Sequence, residues 1–335
     1  MWRRFIYWAL AVAFAYFVIT RLTEIKQVLD TFSQGHWWLI GIAVILQLAA
    51  SLTYTLLYRE AFRVTSVQCS YKELVLVYFA SIFVNIIAPV SGAGGIALFA
   101  DNASRHKQSS ARAAMGALIP PIAVFASFSV ILGIALFLLD SKGRLYTYEV
   151  VAAIILFAFA IIITGIISMG LKYPERLTKI LDWLQRAGNK VVGLFNKKTR
   201  FSKAWVTEHI EDFNDAARTV IAQPKTIFRL LLMALALHGL EITMLASLWL
   251  AFQIPFSLSN ILIGYTIATL FWVVSITPQG IGVVEAIMPL TLVSLGTDST
   301  KATVVTLAFR GLSFWLPLLI GVVAVRRIKS FQNDI

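Results

Sequence analysis

Charge, histidine and cysteine are all scarce in this 335-residue chain. Only 14% of the residues are charged, with 17 acidic side chains against 29 basic ones, and there are four histidines and one cysteine. The single cysteine, Cys69, excludes an internal disulfide and leaves no cysteine-based metal centre. No metal site and no cofactor is expected. No G-x-x-x-x-G-K-[ST] run occurs, so ATP hydrolysis within the chain is not expected. The shortage of charge also excludes an ordinary soluble domain, because 59% of the residues are hydrophobic and the mean hydropathy is +0.79. Such a chain reads as an all-α polytopic membrane protein.

Apolar runs of about 20 residues can cross ~30 Å of hydrocarbon as helices. Six full spans are expected near residues 5–20, 37–58, 112–139, 150–171, 227–250 and 303–325. The basic start and first apolar run resemble a signal peptide, but no small-residue cleavage site closes the run and many spans follow. It is read as a retained first helix. Aromatic residues near span ends (His36-Trp37-Trp38, Tyr146, Tyr148 and Trp249) are expected to be interfacial anchors.

Two further apolar stretches, 73–100 and 259–296, are interrupted by proline and glycine. If each is a re-entrant hairpin, 23 of the 29 basic residues fall on the side of the N-terminus. Five fall opposite (Arg21, Lys26, Lys142, Arg144 and Lys301), and Arg310 lies within a span. That asymmetry places both termini in the cytoplasm. It also explains the net charge of +12 without a nucleic-acid partner, since cytoplasmic cations face anionic headgroups. The chain is then one membrane domain, 1–335, with halves 1–171 and 227–335 joined by a basic linker, 172–226. In the linker, Leu177, Ile180, Leu181, Leu184, Val191 and Phe195 recur at helical spacing. Either an amphipathic helix on the membrane surface or a self-packed soluble helical hairpin fits that stripe.

The broken segments read "NIIAPVSGAGGIALFAD" and "VVSITPQGIGVVEAI". Each puts a proline before Gly-x-Gly: Pro89 with Gly92, Gly94 and Gly95, and Pro278 with Gly280 and Gly282. Proline removes a donor and glycine permits unusual backbone angles. Non-helical backbone at membrane depth is tolerable only where protein or a wet cavity satisfies it. One hairpin would enter from each side, flanked by spans of opposite sense, which is the pattern of an inverted repeat. Helices restarting after each tip would offer N–H groups and a positive dipole end to an anion such as phosphate. The competing reading is that proline and glycine merely kink two spanning helices.

Ionisable residues at depth are the second signal, because each is costly unless paired or wetted. Glu285 follows the second tip, and Arg310 sits roughly 12 Å into the last span at 1.5 Å per residue. The two are expected to pair, either within a binding site or only to lock helices together. His238 and Glu241, three apart on one helix, share a face and could be a proton carrier or a polar cavity wall. Asn85, Asp101 and Arg105 are weaker members of the same polar set, the last two at the rim of the first hairpin.

At "PVSGAGG", "TPQGIGVVE" and "RGLSFWLPLLIG" the chain resembles the lysylphosphatidylglycerol synthase transmembrane-domain family, the flippase-like module of the bacterial multiple peptide resistance factor. The resemblance covers essentially the whole chain. Family members commonly follow the first Gly-Gly with an acid and then an arginine, whereas here Ile96, Leu98 and Phe99 stand there, with Asp101 and Arg105 beyond. The resemblance implies a lipid-translocating role at the plasma membrane of a bacterium or archaeon. It implies a headgroup site at the two tips with Glu285 and Arg310, membrane lipids as partners, and a separate lipid-synthesising enzyme nearby. Lysyl transfer is not expected, since the chain ends ten residues after its last expected span, leaving no room for a soluble synthase domain. Two other readings stay open: a membrane-embedded transferase on lipid-linked substrates, and a non-catalytic partner that recruits a synthase through the linker.

Overall fold

The computed structural model describes residues 30, 32, 33, 35–87, 93–172, 219, 222–275 and 277–328. The expected first span (5–20), most of the 172–226 linker, and Pro89 and Gly92 lie outside the described residues. Those that are described form helices and connecting turns, with no strand among them. In chain order the helices are α1 (Trp37–Val64), α2 (Tyr71–Ile87), α3 (Ala93–Arg105), α4 (Ser110–Ser141), α5 (Thr147–Lys172) and α6 (Pro224–Ala251). After them come α7 (Leu258–Val274), α8 (Val283–Ser294), α9 (Ser299–Arg310) and α10 (Leu316–Arg327). The last two are one rod, joined through a π-helical turn at Gly311–Trp315.

Four of these rods are long and apolar enough to cross a membrane: α1, α4, α6 and the 29-residue Ser299–Arg327. They match four of the six expected spans. The expected 150–171 span falls within α5, a helix of 26 residues. Local sequence explains the ends. The Ser109 hydroxyl accepts from the Arg112 N–H to open α4, Ser257 accepts from Asn260 to open α7, and Asp298 accepts from Lys301 to open α9. Pro224 opens α6, where a missing N–H costs nothing.

Polar contacts define two ends of the bundle. At one, Gln68 and Gln108 exchange hydrogen bonds (2.6 and 2.7 Å), and His106 lies 3.5 Å from Glu73. The chain therefore returns from α3 to where α2 began. At the other, Lys142 donates to Ser259 and Asn260, and Asn260 donates to the Leu295 carbonyl at 3.3 Å. The α7–α8 pair thus also returns to its starting point. Helix α4, 32 residues or about 48 Å long, runs from the first end to the second. The broken segments accordingly open at opposite ends. Packing is reciprocal: α1 lies against α6, α2 against α10, and α7 against α4. His36 N–H donates to the Ala251 carbonyl while Arg229 pairs with Glu60, so α1 and α6 run antiparallel.

The largest core gathers Phe128, Leu245, Trp249, Ile261, Tyr265 and Met288, and a second gathers Phe79, Phe83, Phe99, Phe314 and Leu318. Ile281, from the second tip, belongs to that second core, to which α2 also contributes Phe79 and Phe83. At Gly321 a Cβ would lie 2.5 Å from the Phe79 carbonyl oxygen, so only glycine lets α10 approach α2 this closely. Ile45, Phe137, Phe228, Leu290 and Leu319 are each more than half exposed, as lipid-facing side chains are. Trp37 is 82% exposed at the start of α1, and Tyr146 and Tyr148 stack at 5.6 Å on the surface. Trp249 departs from expectation. It is fully buried and donates to the Pro255 carbonyl at 3.0 Å, because its position near a span end faces inward rather than outward.

Candidate functional site

The second tip is built from left-handed backbone. Helix α7 stops at Val274, and φ is +56° at Gln279, +68° at Gly280 and +81° at Gly282. A Cβ on Gly280 would come within 2.9 Å of the Trp272 Cα, so this glycine is required on two counts. Helix α8 restarts at Val283, and the Gly282 N–H donates to Glu285 Oε2 at 2.8 Å. The anion that meets this positive helix end is therefore the protein's own carboxylate. The expectation of an N–H left for an outside anion is corrected at Gly282: Glu285, one turn downstream, reaches back to it.

The other oxygen of that carboxylate holds Arg310. Arg310 Nε donates to Glu285 Oε1 at 2.6 Å and Nη2 donates to the Gln279 carbonyl at 3.0 Å. The guanidinium carbon lies 4.8 Å from the Phe314 ring centre, and the residue is 5% exposed. A cation at this depth is tolerable because charge, hydrogen bonds and an aromatic face all meet it. The π-helical turn begins at the next residue. Pro317 supplies the reason: its ring has no N–H for the Ser313 carbonyl, and a widened turn relieves the clash. Among the described residues no acceptor meets Arg310 Nη1, and the buried Ser313 hydroxyl has no partner either.

Both groups belong to residues lining a cavity of about 110 Å³, walled also by Tyr54, His238, Glu241, Trp272 and Gln279. At roughly 10–15 Å³ per water, it holds several water-sized groups. Its polar wall also carries a hydrogen-bonded chain. His238 Nε2 meets the Val124 carbonyl at 3.1 Å, His238 Nδ1 meets the Tyr265 hydroxyl at 2.6 Å, and Tyr265 meets Glu241 Oε2 at 2.6 Å.

The sequence-derived residues divide clearly. His238, Glu241 and Arg310 line the cavity, and Glu285 joins it through Arg310. His238 and Glu241 share a face as expected but stand 3.9 Å apart, with Tyr265 bridging them. Asn85 is elsewhere: its Oδ1 accepts from the Gly95 N–H at 2.7 Å, buttressing the first break beside Gly94. Asp101 and Arg105 pair at 2.9 Å near the end of α3 and do not line the cavity. Pro89 and Gly92 are outside the described residues. Sequence reasoning missed Tyr265, Gln279, Trp272 and Ser313. Only Gln279, a polar residue inside a Pro-Gln-Gly tip, carried a signal that could have found it.

The sequence matches the family described as the lysylphosphatidylglycerol synthase TM region over residues 6–321. The chain belongs to that family. Among proteins similar to this lysylphosphatidylglycerol synthase TM region member is a UPF0104 membrane protein of Methanothermobacter thermautotrophicus. It is 21% identical over 88% of this chain and 86% of the relative. Another, from Methanocaldococcus jannaschii, is 25% identical over 86% of this chain and 84% of the relative. The protein is thus a membrane protein of the lysylphosphatidylglycerol synthase TM region family, and its cavity residues Glu241, Tyr265, Gln279 and Arg310 all fall within the matched stretch.

Proposed function

We propose that this protein moves a lipid with an anionic or modified headgroup across the cytoplasmic membrane of a bacterial or archaeal cell, in the manner of a flippase. One observation carries the reading: among the described residues a buried arginine, already held by Glu285 and Gln279, has no acceptor at Nη1, and Ser313, whose hydroxyl has no partner among them either, lines the same small cavity. Two such donors suit the phosphate or other anion of a headgroup. The acyl chains stay in the bilayer outside the bundle.

Alternating access follows from an inverted-repeat topology: six full spans, two re-entrant hairpins opening to opposite leaflets, and both termini in the cytoplasm. Support comes from the return of each broken segment to its own end of the bundle and from the shared core that Ile281 of the second tip forms with α2 residues. A separate enzyme makes the lipid that is moved. The energy is either the lipid's own gradient or an ion gradient.

The test is reconstitution into vesicles containing fluorescent phosphatidylglycerol or glycolipid, with dithionite to bleach the outer leaflet. Wild type should expose inner-leaflet lipid to bleaching, and both Arg310→Ala and Glu285→Gln should slow that exposure sharply. Unaccelerated movement of every lipid class in wild-type vesicles would overturn the transport reading. Unimpaired movement in both variants would overturn the site.

A further inference from the structure

Resting on that transport reading, we propose that His238, Tyr265 and Glu241 form a site for one proton, and that this proton and an anionic headgroup bind the cavity together. Counting hydrogens carries the inference. The Val124 carbonyl can only accept, so His238 Nε2 must be the protonated nitrogen facing it, at 3.1 Å. Two further contacts, Nδ1 to the Tyr265 oxygen and that oxygen to Glu241 Oε2, are each 2.6 Å and each need a hydrogen between the heavy atoms. The tyrosine hydroxyl supplies one. The second is additional, held either on His238 Nδ1 with Glu241 ionised or on Glu241 with His238 neutral. Both arrangements interconvert by moving the Tyr265 hydroxyl hydrogen and the extra hydrogen one place along the chain, with no net charge created. Without the extra proton, two lone pairs would face one another at 2.6 Å and an uncompensated negative charge would sit in the bundle.

The surroundings make that charge matter. Tyr54 from α1 lines the same cavity and stacks on Tyr78 from α2 at 5.2 Å, and phenols carry no charge near neutral pH. Helix α4 presents the Val124 carbonyl and the Phe128 ring, 5.8 Å from the His238 ring. Helix α9 presents Arg310, and α8 supplies Glu285, which already neutralises it. With the triad loaded the ionisable groups around the cavity sum to zero; unloaded, they sum to one negative charge. An incoming anion meets repulsion only in the unloaded state. Proton loading and anion binding therefore favour one another reciprocally. The sign follows: affinity for the anion is full at low pH and falls as the triad loses its proton.

The experiment measures binding of dihexanoylphosphatidylglycerol to the detergent-solubilised full chain by calorimetry between about pH 6 and about pH 9, a range in which a phosphodiester keeps its single charge. Wild-type affinity is expected to fall by roughly tenfold per pH unit above the loading midpoint. Glu241→Gln puts an amide N–H where the extra proton sits, so its affinity should no longer vary with pH. Tyr265→Phe, which removes the bridging hydroxyl but leaves both titrating groups, should shift the midpoint of the profile. Glycerophosphoglycerol, the same headgroup without acyl chains, should bind more weakly; equal affinity would assign the site to a soluble anion and overturn the lipid. In phosphatidylethanolamine vesicles carrying fluorescent phosphatidylglycerol, a pH gradient should speed movement by wild type and leave Glu241→Gln indifferent. Lipid movement with a flat wild-type binding profile would overturn the proton site and leave transport standing. A pH-dependent profile without lipid movement would do the reverse. No binding of the probe at any pH would overturn both.

Discussion

Removing Glu285's charge while keeping its shape isolates the most consequential contact in the molecule. In Glu285→Gln the amide oxygen can still accept from Gly282, so the tip keeps its cap. What disappears is the partner of a guanidinium that is 5% exposed. The carboxylate is itself largely covered, with 18% of its side chain exposed, so solvent screens the pair little. Stranding a buried charge in this way costs about 3–5 kcal/mol, because desolvation is no longer compensated. Arg310→Met alone should cost less per group, since it leaves the Glu285 carboxylate still bonded to Gly282. The double variant removes both charges and should recover about 1–3 kcal/mol of the summed single costs. The assay is denaturant unfolding of the detergent-solubilised protein for wild type, both singles and the double. Additivity within about 0.5 kcal/mol would refute the idea that the two side chains form one energetic unit.

Three further outcomes are expected. Gly280→Ala should destabilise by about 1–3 kcal/mol and more than Gly282→Ala, because both require positive φ but only position 280 also meets backbone, at 2.9 Å. Thermal unfolding of the two variants ranks them; the reverse order would be wrong for this tip. Gly321→Ala should loosen α10 from α2 at a cost of about 1–3 kcal/mol, since the new Cβ meets a main-chain carbonyl that cannot rotate away. The Cys69 thiol is pushed up to about 12 by burial and then by the charge of Glu73, so it stays protonated at neutral pH. Maleimide labelling should therefore be slow, should accelerate with rising pH, and should be faster in Glu73→Gln; fast labelling of wild type at neutral pH would contradict the burial.

Much of the fold was legible because apolar length and proline–glycine punctuation are strong one-dimensional signals. The runs around 37–58, 112–139, 227–250 and 303–325 announced their helices, and the break before Val283 announced itself through Pro278, Gly280 and Gly282. Ionisable side chains at depth were equally visible, so His238, Glu241, Glu285 and Arg310 stood out against their background. What could not be read was anything that depends on which face of a helix looks inward. Tyr265 lies in 17 residues without a charge, where a tyrosine looks like packing, and its role appears only when α7 sets it between two groups on α6. Trp249 failed for the same reason, as proximity to a span end does not reveal orientation. Asp101 and Arg105 have the chemistry of a site but satisfy one another four residues apart on α3, away from the cavity.

On the transport reading proposed above, the tip and the cavity share one physical logic, in which the protein supplies a stand-in for each charge to be exchanged. Glu285 occupies the start of α8 and one edge of Arg310 at the same time, through different oxygens. A lipid phosphate arriving at Nη1 would be a second anion on one cation, and the two would compete for it. If the protein transports as proposed, that competition is useful, because a guanidinium with no internal partner would bind a phosphate too tightly to let it leave. Neutralising Glu285 should therefore raise headgroup affinity while slowing movement, as release becomes the slow step. The comparison of dihexanoylphosphatidylglycerol affinity with vesicle flux in Glu285→Gln decides it. Tighter binding with slower flux fits an exchangeable internal anion, whereas parallel loss of both would make Glu285 a mere support for Arg310.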